Sequence, residues 1–266
     1  MNVSPRKLIV VPSLTAALAL TACGSGSSDS GAGTGSPGPE ASASGTEPVS
    51  ATSSLPQGSE PVQMNPADFT ARITNPYLPL RPGSRWVSRE VENGRLQRVV
   101  VNVTNQTKLI DGIRSRVVHD VVSAGGQPVE KTVDWYAQDS GGNVWYMGEN
   151  TKEYENGQVS STAGSWQTGV GGAQAGIAMP GDPAVGLKYR QEYYKGNAED
   201  YASAISTSEK RTVPYGTFSR LLETKDVNPL EPNFVEHKYY ARGIGPVETV
   251  QISGGKAHEV LVSYRR

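Results

Sequence analysis

From residue 85 onward, apolar and polar residues alternate in short runs, separated by Gly-, Asn- and Asp-rich turn dipeptides. Alternation of period two marks strands that bury one face, and the dipeptides mark the turns between them. Runs at 85–91 and 98–104 flank Asn93-Gly94, and runs at 107–110 and 113–122 flank Asp111-Gly112, both hairpin signals. Gly125-Gly126 leads into 129–138, with Val133, Trp135 and Ala137 on one face, and Ser140-Gly141-Gly142-Asn143 leads into 144–147. Further strands are expected at 151–155, 187–194, 210–214, 218–226, 234–241, 247–252 and 257–264, and 198–207 reads as strand rather than short helix. Ahead of them, Asn65-Pro66-Ala67-Asp68-Phe69 has the form of a helix start, with Asn as N-cap and Pro at the first position. Asn75-Pro76-Tyr77-Leu78-Pro79-Leu80 must be extended, because each proline disfavours helix in the residue before it. The pattern predicts an all-β domain with minor α content. It is a curved antiparallel meander of about ten strands, forming a half-open barrel or a folded two-layer sheet with one short helix.

The stretch at 160–183 breaks the pattern: it is Gly-rich and carries Trp166, Ile177 and Met179 without periodicity. Loops of this length are either functional or disordered, and its large apolar residues argue that it lies on the domain. Trp135-Tyr136, Trp145-Tyr146, Tyr193-Tyr194 and Tyr239-Tyr240 are adjacent pairs, so a strand sends one ring of each pair to either face. One ring belongs to the core. Its partner joins a cross-strand aromatic ladder or lines a cleft. On the cleft reading, Trp145, Tyr146, Trp166, Tyr193 and Tyr194 are the candidate ligand-binding residues.

The first 61 residues have a different composition. Arg6 and Lys7 precede an apolar run from Leu8, which closes at Leu20-Thr21-Ala22-Cys23-Gly24. This resembles the lipobox of bacterial lipoproteins, in which Cys23 would be lipidated and become the mature N-terminus after removal of residues 1–22. Acyl chains on Cys23 would anchor the protein stably on the extracytoplasmic face of the cell membrane. From residue 24 to 61 the chain is Gly, Ser, Ala, Thr, Pro and Glu with few large apolar residues, the composition of a disordered tether. The tether would span roughly 35 Å. Residues 62–266 then form a single antiparallel β domain.

Charge and motifs exclude more than they assign. Lys and Arg number 25 against 26 Asp and Glu, and no basic stripe is present, so nucleic acid has no electrostatic footprint here. Cys23 is the only cysteine, which leaves no thiol chemistry for the mature domain. Gly169-Val170-Gly171-Gly172-Ala173-Gln174 follows no buried strand and opens no helix, so no nucleotide cofactor is implied. His119, His237 and His258 are far apart, and Asp139-Ser140-Gly141-Gly142-Asn143 reads as a turn, so no metal is expected. Glu149, Glu153, Glu155, Glu192 and Glu199 lie among aromatics, as in a carbohydrate cleft, but alternating charges also suit a solvated sheet face.

Five segments carry a family resemblance. They are residues 75–83 with Trp86; 134–139 with 142–146; 189–194; 213–216 with Phe218; and 239–247. Together they resemble a group of uncharacterised bacterial secreted proteins and lipoproteins, a resemblance that implies no activity. A weaker, fold-level likeness is to lipoprotein-carrier domains, half-open barrels that enclose lipid against a small helix. The expectation is a lipid-anchored, non-catalytic domain that binds a hydrophobic or glycan ligand or another envelope component. The alternatives are a structural or protein-partner module, and a hydrolase of envelope polysaccharide using Glu153 or Glu192.

Overall fold

The computed structural model describes residues 55–266. The leader, Cys23 and the tether up to residue 54 lie outside the described residues.

Asn65 caps the first element as its sequence suggests, its side chain accepting from the Ala67 N–H at 3.3 Å. The element is only a 3-10 turn, Pro66–Asp68, because Phe69 is already extended and begins β1 (Phe69–Thr70). Then come β2 (Arg85–Glu92), β3 (Arg95–Ile110), β4 (Ile113–Ala124), β5 (Gln127–Asp139), β6 (Val144–Glu155) and β7 (Gln158–Ser161). Asn93 and Gly94 both take positive φ, 44° and 80°, the type I′ geometry whose twist matches a hairpin. The 160–183 stretch is not one loop: it holds β8 (Trp166–Gln167) and β9 (Gln174–Met179). Almost every residue of β9 is buried, so the alternation that would mark it is missing. β10 (Lys188–Arg190), β11 (Glu192–Tyr193), β12 (Tyr201–Val213), β13 (Gly216–Asn228), β14 (Glu231–Ala241), β15 (Gly245–Ser253) and β16 (Ala257–Arg265) complete the chain. The strand pairs expected at 98–104 and 107–110, at 144–147 and 151–155, and at 198–207 and 210–214 each merge into one strand. In each, a register shift falls where the pattern breaks.

The architecture is a nearly closed antiparallel barrel. Neighbours run β10-β12-β13-β14-β15-β16-β2-β3-β4-β5-β6-β9-β11, and β1, β7 and β8 pair at the side with β5 or β6. β10 and β11, the two ends of this path, are separated in sequence only by Gln191, so the sheet returns upon itself there.

One end of the barrel is plugged by the proline-spaced segment. Ile73, Tyr77, Leu78 and Leu80 are buried with Trp86, Val101, Tyr136, Val144, Tyr240 and Val247. Asn75 holds the plug in place. Its Oδ1 accepts from the N–H groups of Tyr77 and Leu78 at 2.8 and 3.2 Å, and its Nδ2 donates to the Gly142 and Pro180 carbonyls at 3.0 and 2.8 Å. Asn75→Ala would leave these buried groups without partners and is expected to cost about 3 kcal/mol in a denaturant titration.

Among the described residues, packing onto the barrel already begins ahead of residue 62. Leu55, Val62, Met64 and Phe69 lie over a second apolar cluster that includes Ile110, Trp135, Trp145 and Ile177 on the outer face of the barrel. Arg190, fully buried, donates to the Gly58, Glu60 and Ala175 carbonyls, while its own N–H donates to Pro56. Residues 56–60, which composition assigned to the tether, are therefore clasped to the seam by their backbone, and backbone contacts leave no mark on composition. Among the described residues no helix is long and apolar enough to cross a membrane.

Candidate functional site

Strand alternation decides what faces the interior. Inward positions are Trp86, Ser88 and Glu90 on β2; Gln97, Val99 and Val101 on β3; Val118, Asp120 and Val122 on β4; and Glu130, Thr132, Asp134 and Tyr136 on β5. β6 adds Tyr146, Glu149 and Thr151, β14 adds Glu236 and Lys238, and β16 adds Glu259 and Leu261. The plugged end is thus apolar and aromatic, and the other end is acidic. Register brings the acids side by side: Glu259 faces Glu90, which faces Gln97; Asp134 faces Glu149; Asp120 faces Thr132, which faces Thr151.

Like charges in directly opposed positions repel, and burial penalises each of them further. Proton uptake relieves both costs. Desolvation, then the neighbouring Asp134 and Glu90, raises the Asp120 pKa well above the usual carboxylate range. Glu130 is raised by burial and by Asp120, Glu149 and Glu153, and Glu259 by burial and by Glu90, Asp120 and Glu236. Asp134 is pushed up to about 7 by burial, against the pull of the hydrogen bond that Tyr146 Oη donates to it at 2.7 Å. Lys238 is a buried cation beside them. Burial works to lower its pKa, but Asp226 at 2.7 Å and Glu236 at 3.7 Å hold the ammonium above its usual value.

The side chains at this end are buried only slightly less completely than those at the plugged end. Glu90, Gln97, Asp120, Glu130, Asp134 and Glu259 keep 4–7% of their surface accessible, whereas Tyr136 and Tyr146 below them keep none. The turns at the rim, Asn93-Gly94, Gly125-Gly126, Asn156-Gly157 and Gly254-Gly255, are all exposed. Asp120 Oδ1 and Gln97 Oε1 are buried without a hydrogen-bond partner. Buried acceptors of this kind are costly unless a donor arrives from outside the chain.

The five candidate aromatics are not gathered into one cleft. Tyr146 and Trp166 do meet inside the barrel, edge to face at 5.4 Å, and Tyr136 stacks on Tyr146 at 4.9 Å. All three belong to the buried core. Trp145 points the other way, into the outer cluster, where Phe69 packs on it at 5.9 Å and its Nε1 donates to Asp139 at 2.8 Å. Tyr193 and Tyr194 are half-buried. The reason is the segment 55–69: by covering the outer face it buries both rings of the Trp145-Tyr146 pair, where a free sheet would bury one. Glu192 is fully buried and accepts from Trp166 Nε1 at 2.7 Å. In this conformation it cannot touch a substrate. Glu153, raised by burial and by Glu155, pairs across the strands with Glu130 and Ser161. Two histidines come to one face, His237 on Glu223 at 2.8 Å and His258 on Glu248 at 2.7 Å, both opposite Val250. Among the described residues, no group of three or more His, Cys, Asp and Glu side chains could hold a metal ion.

Sequence reading named Glu149, Glu153 and Glu192 but missed Glu90, Asp120, Glu130, Asp134, Glu236 and Glu259, although a signal exists. Asp120 is in phase with Val118 and Val122, and Glu90 with Trp86, so each shares a face with core residues. Charge on a strand usually marks the solvated face, and that rule misled here.

No protein-family model matches the chain, and no curated protein matches it. Among solved structures it is similar to a crystal structure of a "putative lipoprotein" from Parabacteroides distasonis. The identity is 15% and the TM-score 0.38, over 71% of this chain and 98% of that one.

Proposed function

We propose that the chain is a lipoprotein anchored through Cys23 on the extracytoplasmic face of the membrane. On this reading its barrel is a non-catalytic binding domain for a glycan that carries free amino groups. The observation that supports this most is the acidic mouth, where carboxyls in register surround two buried acceptors that lack donors. An ammonium group supplies the donors, its charge being met as a lining carboxyl gives up its proton, and sugar hydroxyls supply further donors. A purely hydrophobic ligand would leave those acceptors unsatisfied.

The test is native mass spectrometry of the full chain with glucosamine tetramer and with its fully N-acetylated counterpart. The amine form is expected to bind one to one, the acetylated form to bind at least about tenfold more weakly, and Asp120→Asn to abolish the difference. Asp120→Asn removes a buried acid and should not impair folding. Equal binding of the two oligomers, or binding unaffected by Asp120→Asn, would overturn the proposal.

A further inference from the structure

A cavity lies at the plugged end of the barrel, away from the acidic end. It measures about 460 Å³ and is lined by Tyr77, Thr207, Phe218, Ser219, Arg220 and Arg242. That volume is in the range of small-molecule sites. Tyr77 comes from the plug, and Arg242 follows the last residue of β14, where Gly243 N–H donates to the Pro76 carbonyl at 2.7 Å.

The charge of the lining is one-sided. Two arginines line it and no Asp or Glu does, in a chain whose net charge is −1. Arg242 is held in place: its Nε donates to Tyr77 Oη at 3.1 Å, and its guanidinium sits 4.7 Å from the centre of the Tyr77 ring. The Arg220 side chain makes no hydrogen bond or ion pair among the described residues.

The backbone at Arg220 is unusual as well. Glu209 faces Leu221 and Lys210 faces Ser219, so Arg220 is the extra residue of a β-bulge. Its φ is +56°, a conformation that side chains other than Gly, Asn and Asp rarely take. Bulges re-aim side chains, and strained backbone persists where the surroundings over-determine it. Here the strained residue is an exposed arginine beside a cavity, with no side-chain partner among the described residues.

We propose that this cavity binds a phosphate group carried on a sugar or polyol. Arg220 and Arg242 would engage the phosphate oxygens, and the Thr207 and Ser219 hydroxyls with the Tyr77 and Phe218 rings would hold the polyol. Guanidinium forks match phosphate geometry, and two of them balance a phosphate dianion. The same chemistry is offered by a free sugar phosphate and by the headgroup of an anionic lipid. This site is independent of the acidic mouth.

The experiment is isothermal titration of the full chain with glucose 6-phosphate and, separately, with water-soluble dihexanoyl phosphatidylglycerol, with dihexanoyl phosphatidylcholine as the neutral control. Each is repeated with Arg220→Gly and Arg242→Gln. Glycine takes positive φ freely, so Arg220→Gly is expected to keep or raise the melting temperature while weakening binding at least about tenfold. Saturable binding of glucose 6-phosphate that both variants weaken supports a free sugar phosphate as ligand. The same result with phosphatidylglycerol, and not with phosphatidylcholine, supports a lipid headgroup. If neither probe binds, or if both variants bind as the parent does, the proposal is overturned.

Discussion

At pH 5 the domain is expected to withstand markedly more denaturant than at pH 8, the reverse of what paired surface carboxylates would give. The sign follows from Asp134, whose pKa is about 7 in the folded protein against an ordinary 3.8. Between those values the folded state binds more protons than the unfolded chain, so stability falls as pH rises. The stabilisation is complete below about pH 4 and is lost as pH climbs through about 7. A displacement of about three pKa units corresponds to about 4 kcal/mol in all, of which roughly 2.6 kcal/mol falls between pH 5 and pH 8. Asp120, Glu130 and Glu259 are displaced in the same direction and add to the slope. Lys238 does not oppose it, because it is protonated in both states over this range. Asp134→Asn, which deletes the titrating group, is expected to raise the midpoint at pH 8 and to flatten the pH dependence. A parent midpoint that increases from pH 5 to pH 8 would show that the interior acids are ionised and compensated, and the electrostatic account would fail.

Gly176→Ala is expected to cost about 3 kcal/mol or more, because it forces a side chain into the seam that closes the barrel. Gly176 lies on β9 opposite Tyr146. A Cβ there would sit 2.3 Å from the carbonyl carbon and oxygen of Gln191 and 2.7 Å from the Arg190 carbonyl oxygen. Those are backbone atoms at the β10–β11 junction, where no rotamer change can make room. The junction must move, and Arg190 with its clasp on Gly58 and Glu60 moves with it. Loss of amide protection along β10 and β12 is expected to accompany the loss of stability. Gly216→Ala is the control: its φ is not positive, and its Cβ would approach only Phe218, at 3.9 Å. That substitution should change stability by no more than about 0.5 kcal/mol. Equal effects at the two positions would mean that the close approach at Gly176 does not hold the seam.

Much of the fold was legible because hairpins write their own punctuation. Asn93-Gly94 and Asp111-Gly112 turn the chain where they were expected to, and the alternating runs around them became paired strands. Other features depend on chain that is distant in sequence. β9 could not be seen because it is buried on both faces, and the outer burial of Trp145 depends on residues more than 70 positions away. The helix start at 65–69 is a single 3-10 turn, and it stops there because Phe69 is drawn into an edge pairing with Asp139. The candidate site was the least legible part. Aromatic pairs draw attention in a sequence, yet Tyr146 and Trp166 are core, and the acids that line the mouth resemble solvated strand residues until the register sets them face to face.

The central claim is that protonated interior carboxyls form the mouth of a site for ammonium-bearing ligands. Calorimetric titration of the full chain with glucosamine tetramer at pH 5, where the sugar amines are already fully protonated and Asp134 still holds its proton, in two buffers of different ionisation enthalpy, tests it most directly. An arriving ammonium lowers the carboxyl pKa values, so binding is expected to release protons and the measured heat to differ between the buffers. Binding with the same heat in both buffers, or no binding at all, would contradict the claim.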